Sequence, residues 1–248
     1  MSRISRIYCP TILQEGQLVT LPESAARHTR KVLRLRVGDR LRIFDGAGHE
    51  HEAVLAADGP GTTARIGAAL PPAAESTLSL TLMQGVSRGE RMDWVVQKAT
   101  ELGVARIVPV LTARSVVRLS QQRAEQRREH WQAITISACE QCGRRVLPEL
   151  AMPRTLDQAL AEEEQPANLR LMPSAGADLA LPSLKPDAAK ICLLIGPEGG
   201  LDEEEEARAG SLGFVPVSLG PRVLRTETAA VVALAACQTL WGDFNANR

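Results

Sequence analysis

The hydrophobic rhythm of the chain changes once, near residue 71. Before that point the apolar runs are short and separated by turn signals. Arg40-Leu41-Arg42-Ile43-Phe44 leads into Asp45-Gly46. His51-Glu52-Ala53-Val54-Leu55 leads into Asp58-Gly59-Pro60-Gly61, and Thr62-Thr63-Ala64-Arg65-Ile66 follows. Short alternating runs joined by Asp-Gly turns predict a small β-barrel. A helix is expected over 24–33 with Ser24 as its N-cap. Pro71-Pro72-Ala73-Ala74-Glu75-Ser76-Thr77 reads as a linker. It divides the chain into domains 1–72 and 73–248.

Beyond the linker the pattern becomes strand, helix, strand. Apolar runs at 78–83, 106–111, 169–172, 191–195 and 214–219 predict five strands, the second containing Pro109, which argues for an edge or an irregular end. Helices are expected over 90–102, 121–142, 203–210 and 227–240. In the first of these, Met92, Val95, Val96, Ala99 and Leu102 recur at helical spacing and Gly103 ends the run. The stretch 178–190 reads as loop. Apolar strands alternating with helices predict an α/β domain with a mostly parallel sheet and helices on both faces.

Composition narrows the class. Apolar residues make up 44% of the 248 residues and aromatics only 3%, so the core must be aliphatic. Net charge is zero, but residues 1–42 hold nine Lys and Arg against three acids, which predicts a polyanion-facing end. Five irregularly spaced cysteines make no disulfide framework and point to a reducing compartment. There is no signal peptide and no run long enough to span a bilayer, so a cytoplasmic protein is expected.

Two glycine-proline loops carry the candidate chemistry. Gly196-Pro197-Glu198-Gly199-Gly200 follows the strand at 191–195, and Gly220-Pro221-Arg222 follows the one at 214–219. Ligands of parallel sheets bind outside the C-terminal strand ends. Gly199 and Gly200 let backbone amides approach a ligand. Asp202 and Glu205 form a predicted capping box, and Thr226 is expected to cap the last helix. The acidic run Glu203 to Glu206 discourages phosphate, and no P-loop or Gly-x-Gly-x-x-Gly dinucleotide motif occurs. Apolar Val223 and Leu224 beside bare amides suit an adenine and ribose. A nucleotide-dependent enzyme and a non-catalytic RNA-binding protein are the competing classes.

Leu194-Ile195-Gly196-Pro197-Glu198-Gly199-Gly200 and Leu219-Gly220-Pro221-Arg222-Val223-Leu224-Arg225-Thr226-Glu227-Thr228-Ala229 closely resemble the C-terminal motifs of the RsmE family. This is the 16S rRNA uridine-N3 methyltransferase branch of the SPOUT superfamily. Gln97-Lys98-Ala99-Thr100-Glu101-Leu102-Gly103, Glu140-Gln141-Cys142-Gly143-Arg144, Arg6-Ile7-Tyr8 and His28-Thr29-Arg30-Lys31-Val32-Leu33-Arg34-Leu35 resemble its other motifs. The resemblance implies a PUA-like, RNA-binding N-terminal barrel and a trefoil-knotted α/β domain. It implies a homodimer, and N3-methyluridine in the small subunit's rRNA as product, made on free rRNA or on the assembled subunit. It also implies that the knot loops bind S-adenosylmethionine. Here those positions are Leu171, Met172 and Pro173, then Ile195, Gly196, Pro197, Glu198, Gly199 and Gly200, then Leu219, Gly220, Arg222, Val223, Leu224, Thr228 and Ala229.

Uracil N3 carries a proton that must leave before N3 becomes a nucleophile. Arg222 and Arg225 are candidates to stabilise the uracil anion, and Glu227 or Glu198 to accept the proton. Helix-dipole stabilisation is the plainer role for Glu227. Arg3, Arg6, His28, Arg30, Lys31, Arg34 and Arg36 are candidate RNA contacts, extended by Arg88, Arg91 and Arg144. No metal site is expected. Cys139 and Cys142 lack further ligands, and His49 and His51 read as exposed turn residues.

Overall fold

The computed structural model describes residues 4–115, 120–161, 169–184 and 190–245. It divides into two compact units, one of residues 1–75 with 136–147, the other of residues 76–135 with 148–248. A single cut in the chain does not describe this division, because 136–147 groups with the N-terminal residues.

The first unit is a five-stranded sheet, with β1 (Arg6–Tyr8), β2 (Leu18–Thr20), β3 (Arg40–Phe44), β4 (Glu50–Ala56) and β5 (Thr63–Ala69) in the order β1-β3-β4-β5-β2. β1 runs parallel to β3, and the other neighbours are antiparallel. Alternation turns Leu41, Ile43, Ala53, Leu55, Ala64 and Ile66 into one core, each all but fully buried. Helix α1 (Glu23–Arg27) starts after Pro22 and runs directly into a π-helical turn, His28–Val32. Ser24 is therefore not the cap: the helix begins before it, and no side chain caps the Pro22 terminus.

Residues 136–147 are bound to this sheet by charge. Glu50, 3% exposed, pairs with both Arg6 (2.6 Å) and Arg145 (2.7 Å). Arg6 also donates to the carbonyl oxygens of Cys139 and Arg144 and lies over the Phe44 ring. Removing one partner from such a buried cluster typically costs about 3–5 kcal/mol. Burial pushes the Cys139 thiol up to about 12, which suits a structural cysteine. His51 is buried and bonded to the Gly67 carbonyl at 3.0 Å, so it belongs to the strand rather than to an exposed turn.

The second unit is α/β. Its elements are β6 (Ser79–Gly85), α2 (Arg91–Glu101), β7 (Arg106–Leu111), α3 (Gln121–Cys142), β8 (Glu149–Leu150), β9 (Arg154–Thr155), α4 (Leu156–Ala161), β10 (Leu169–Pro173), β11 (Lys190–Ile195), α5 (Glu203–Ser211), β12 (Phe214–Val217) and α6 (Thr226–Trp241). The final residues of α3 belong to the first unit. The strands order as β12-β10-β11-β6-β7-β8, with β9 also on β7, and every described pairing is parallel. Both faces are covered. Leu80, Leu82, Ile191, Leu193 and Ile195 pack with α2 and α6; Met83, Cys192 and Leu194 pack on the side of α4 and α5. That double burial explains the unbroken apolar run of β11.

Pro109 sits inside the sheet, not on its edge. β7 pairs with β8 through Arg106 and Ile107 and with β9 through Val110 and Leu111, leaving a break at 108–109. A residue with no N–H belongs at that break. Helix α6 buries one face, through Ala230, Ala233, Leu234 and Cys237, and leaves Val232 exposed.

Candidate active site

In an all-parallel sheet every strand delivers its C-terminal end to the same rim. Here the segments after β10 and β11, together with the loop leading into α6, enclose a cavity of about 660 Å³. Met172, Pro173, Ser174 and Ala175 form one wall. Ile195, Gly196, Pro197, Glu198, Gly199, Gly200 and Leu201 form the second. Val223, Leu224, Arg225, Thr226, Glu227 and Ala229 form the third. All of it lies within the second unit.

The 196–200 loop is held by contacts from distant segments. The Gly200 N–H closes a turn on the Pro197 carbonyl at 2.9 Å, and Gly200 has φ +71°, a conformation that favours glycine. A Cβ on Gly196 would lie 2.9 Å from the Gly200 carbonyl carbon. Behind the loop, a Cβ on Gly85 would fall 2.4 Å from the Pro197 nitrogen, so only glycine lets β6 end there. The Arg114 Nη1 donates to the carbonyls of Gly199 and Leu201, each at 3.0 Å. Asp202 and Glu205 complete the expected capping box, and Glu205 accepts as well from the Ala113 N–H at 2.7 Å.

Thr226 is not the cap of α6. The N-cap position is Arg225, without a side-chain cap, and Thr226 lies in the first turn. Its hydroxyl donates to the Gly196 carbonyl at 2.6 Å and accepts from the Gln84 amide at 2.9 Å. One buried hydroxyl thereby joins β6, the first loop and α6.

Three charged groups face the cavity together. Arg91 donates to Glu198 at 2.6 Å, and its Nε lies 3.9 Å from Glu227. Glu198 also accepts from the Arg88 N–H at 3.1 Å. Burial opposes ionisation of Glu198, but the backbone and Arg91 hydrogen bonds outweigh it and hold the carboxyl below its ordinary 4.5. Glu227 differs: its Oε2 is buried and has no protein donor. The carboxylate of Glu198 is occupied, while that of Glu227 keeps an acceptor oxygen in reserve.

The other expected site residues fall in distinct places. Leu219, Gly220 and Arg222 line a smaller cavity of about 80 Å³ that shares Pro173, Ser174, Ala175, Val223, Leu224 and Ala229 with the large one. Leu171 is fully buried in the core beneath the rim, and Thr228 is half-buried on α6 outside both linings. Arg91, Arg114 and Gly85 were not anticipated in this role. Arg91 read as part of an RNA track, yet its guanidinium is turned to Glu198. Gly85 had a readable signal, a glycine at a strand's C-terminal end, where parallel sheets place their ligands.

The candidate RNA contacts divide sharply. Arg6 is withdrawn: it is buried in the Glu50 cluster. Arg144 is withdrawn too, being largely buried and paired with Glu75 at 3.0 Å. Arg30, Lys31, Arg34, Arg36 and Arg88 are exposed and His28 is half-buried. Arg3 lies outside the described residues. Among those residues no group of three or more His, Cys, Asp or Glu is placed to hold a metal ion, and no helix is long and apolar enough to cross a membrane.

Comparison with known proteins gives the family. Residues 74–238 match the RNA methyltransferase domain and residues 21–62 the RNA methyltransferase PUA domain. Ribosomal RNA small subunit methyltransferase E of Buchnera aphidicola (subsp. Acyrthosiphon pisum) is 31% identical over 243 residues, covering 98% of this chain and 96% of the relative. Its Synechocystis counterpart is 35% identical over 229 residues, 90% and 73% of the two chains. The crystal structure of the Neisseria gonorrhoeae enzyme of that name, bound to S-adenosyl methionine, superposes with a TM-score of 0.90 at 42% identity, over 98% of this chain and 100% of the other. A Legionella pneumophila structure, described as a methyltransferase with bound SAM, gives a TM-score of 0.92 at 40% identity over 97% and 99%. With both domain types matched and full-length relatives on either count, the chain belongs to the ribosomal RNA small subunit methyltransferase E family.

Proposed function

We propose that this protein methylates N3 of one uridine in the 16S rRNA of the small ribosomal subunit, using S-adenosylmethionine. The observation that carries the reading is the cavity itself: three strand-end segments, two of them rich in glycine, around a largely uncharged space with a single reserve carboxylate oxygen at Glu227. The relatives' names and their bound S-adenosyl methionine support it.

The residues present fit that cofactor. Ile195, Met172, Val223 and Leu224 offer apolar contact, and glycines 196, 199 and 200 let the backbone approach. When bound, S-adenosylmethionine supplies an electrophilic methyl group. The chain's own task is to place uracil N3 and to take its proton. Glu227 Oε2 is the acceptor in this reading, since the Glu198 carboxylate is committed to Arg91 and the Arg88 N–H. Arg225, on the cavity wall, and Arg222, beside it, stabilise charge on the uracil carbonyls. The target base must be splayed from its stack to reach the cavity.

The same reading assigns RNA binding to domain 1–72 through His28, Arg30, Lys31, Arg34 and Arg36, with Arg88 in domain 73–248 continuing the contact. It takes the catalytic domain as a SPOUT trefoil knot, the working form as a homodimer, and the setting as cytoplasmic. Calorimetry with S-adenosylmethionine tests the cofactor, and absence of binding overturns the reading. Mass mapping of rRNA nucleosides from a strain lacking the protein tests the product: loss of N3-methyluridine from one position is expected.

A further inference from the structure

The outer face of the first sheet carries a basic feature that the reading above does not use. With Leu41, Ile43, Ala53, Leu55, Ala64 and Ile66 turned inward, alternation places Arg40, Arg42, Glu52, Val54 and Arg65 on the opposite face. The register sets Arg40 beside Val54, Val54 beside Arg65, and Arg42 beside Glu52. Gly67 packs against the Glu52 backbone, where a Cβ would lie 3.3 Å from the Glu52 carbonyl oxygen. With no side chain there, the face opens into a groove of about 270 Å³. Val54 and Ile4, each about two-fifths exposed, give it a small apolar surface.

Three guanidiniums and one carboxylate line this groove. Among the described residues Arg40 and Arg42 have no ion-pair partner, although Glu52 is the cross-strand neighbour of Arg42. Arg65 shares an exposed contact with Asp58 at 3.3 Å. The Arg42 Nε is buried and has no acceptor. A buried donor of this kind is costly unless an acceptor reaches it, and a guanidinium fork matches phosphate geometry.

We propose that this groove binds a single-stranded segment of RNA, with a phosphate on Arg40 and Arg42 and the adjoining nucleotide against Arg65 and Val54. Unstacked bases lie readily on guanidinium planes and small apolar surfaces, and the volume suits a group of nucleotide size. The proposal rests on RNA being the substrate. It adds a contact surface distinct from the 28–36 segment that charge counting selects.

The test uses the full-length protein and a short, labelled, uridine-rich single-stranded RNA, titrated over a range of salt. Combining Arg40→Gln, Arg42→Gln and Arg65→Gln should weaken binding on the order of tenfold or more and flatten the log–log salt slope by about two, at roughly 0.7 per lost phosphate contact. S-adenosylmethionine affinity should stay unchanged. Wild-type RNA affinity and slope in this variant overturn the groove while leaving the methyltransferase reading intact. No RNA binding by the wild type overturns both. Displacement of the RNA by polyglutamate as readily as by unlabelled RNA also overturns the proposal, because it marks a site for acidic peptides. If the triple variant loses its circular dichroism spectrum, Arg40→Gln with Arg65→Gln carries the test, since both side chains are solvent-facing. That pair should flatten the slope by about one, and an unchanged slope overturns the proposal.

Discussion

The loops at 196–200 and 220–224 begin with the same Gly-Pro step and follow strands of one sheet, yet they are built differently. The first is over-determined. It is backed by Gly85, tied by Arg114 through two carbonyls, held by the Thr226 hydroxyl and followed by a complete capping box. The second starts from a Gly220 N–H to Ser218 Oγ contact of 3.2 Å, and then turns Arg222 and Val223 to solvent, Val223 being 85% exposed. A motif therefore does not state its own rigidity. What differs is how many distant segments converge on each loop. The first is a pre-formed seat; the second presents side chains that a ligand or RNA would cover.

The largest way to break this contrast is to disturb the seat from behind. Gly85→Ala puts a Cβ 2.4 Å from the Pro197 nitrogen, and backbone on both sides leaves nothing flexible to yield. Overpacking of this kind costs about 1–3 kcal/mol. The displaced loop should lose S-adenosylmethionine binding in calorimetry, and turnover with it. Gly220→Ala is the matched control. Its Cβ would meet nothing within 4 Å, so the cost is only the φ of +111°, and cofactor binding should persist. If both variants behave alike, the contrast between the loops is wrong.

Next in size is Glu227→Gln. It keeps the shape of the side chain and removes the reserve acceptor. A lost general base reduces kcat by about 10²–10⁴-fold. Cofactor affinity should hold, because the seat is made elsewhere. Wild-type turnover would return Glu227 to the plainer role of stabilising the first turn of α6.

How much of this was readable in advance follows from contact range. Asp202 and Glu205 are three residues apart, and their capping box was legible. So were the core strands, because burial on both faces leaves unbroken apolar runs. The role of Thr226 was misread, since a threonine at a helix start looks like a cap until its partners, Gly196 and Gln84, are seen. Arg91 reaches Glu198 across 107 residues of chain, which no local pattern reports. Arg6 and Arg144 failed for a related reason: counting charge cannot see burial, and both arginines serve ion pairs inside the first unit.

A smaller effect is expected from Arg114→Ala. The side chain is exposed, so its two hydrogen bonds to the first loop contribute about 0.5–1.5 kcal/mol each. Cofactor affinity should fall by roughly tenfold, with kcat at saturation little changed. Faster amide exchange at 199–201 but not at 221–224 would place the loss in the seat.

The smallest predicted effect is a pH dependence confined to the first loop. Glu198 is held below its ordinary 4.5 in the folded protein, by hydrogen bonds from the backbone and Arg91 that outweigh its burial. A depressed folded value means the stabilisation is fully present above the unfolded value and is lost as pH falls through the folded one. The affected window therefore lies below the ordinary carboxylate range, and at neutral pH the contact is intact. Both partners are partly exposed, which limits the pair to about 0.2–1 kcal/mol after solvent screening. Cofactor affinity should weaken a few-fold on acidification through that window, and Glu198→Gln should abolish the dependence. The 220–224 loop makes no contact with this carboxylate in the described hydrogen bonds, so its amide exchange, corrected for intrinsic pH effects, should stay flat. An equal acid response in both loops would mean that they share one support, and the distinction between seat and exposed arm would fall.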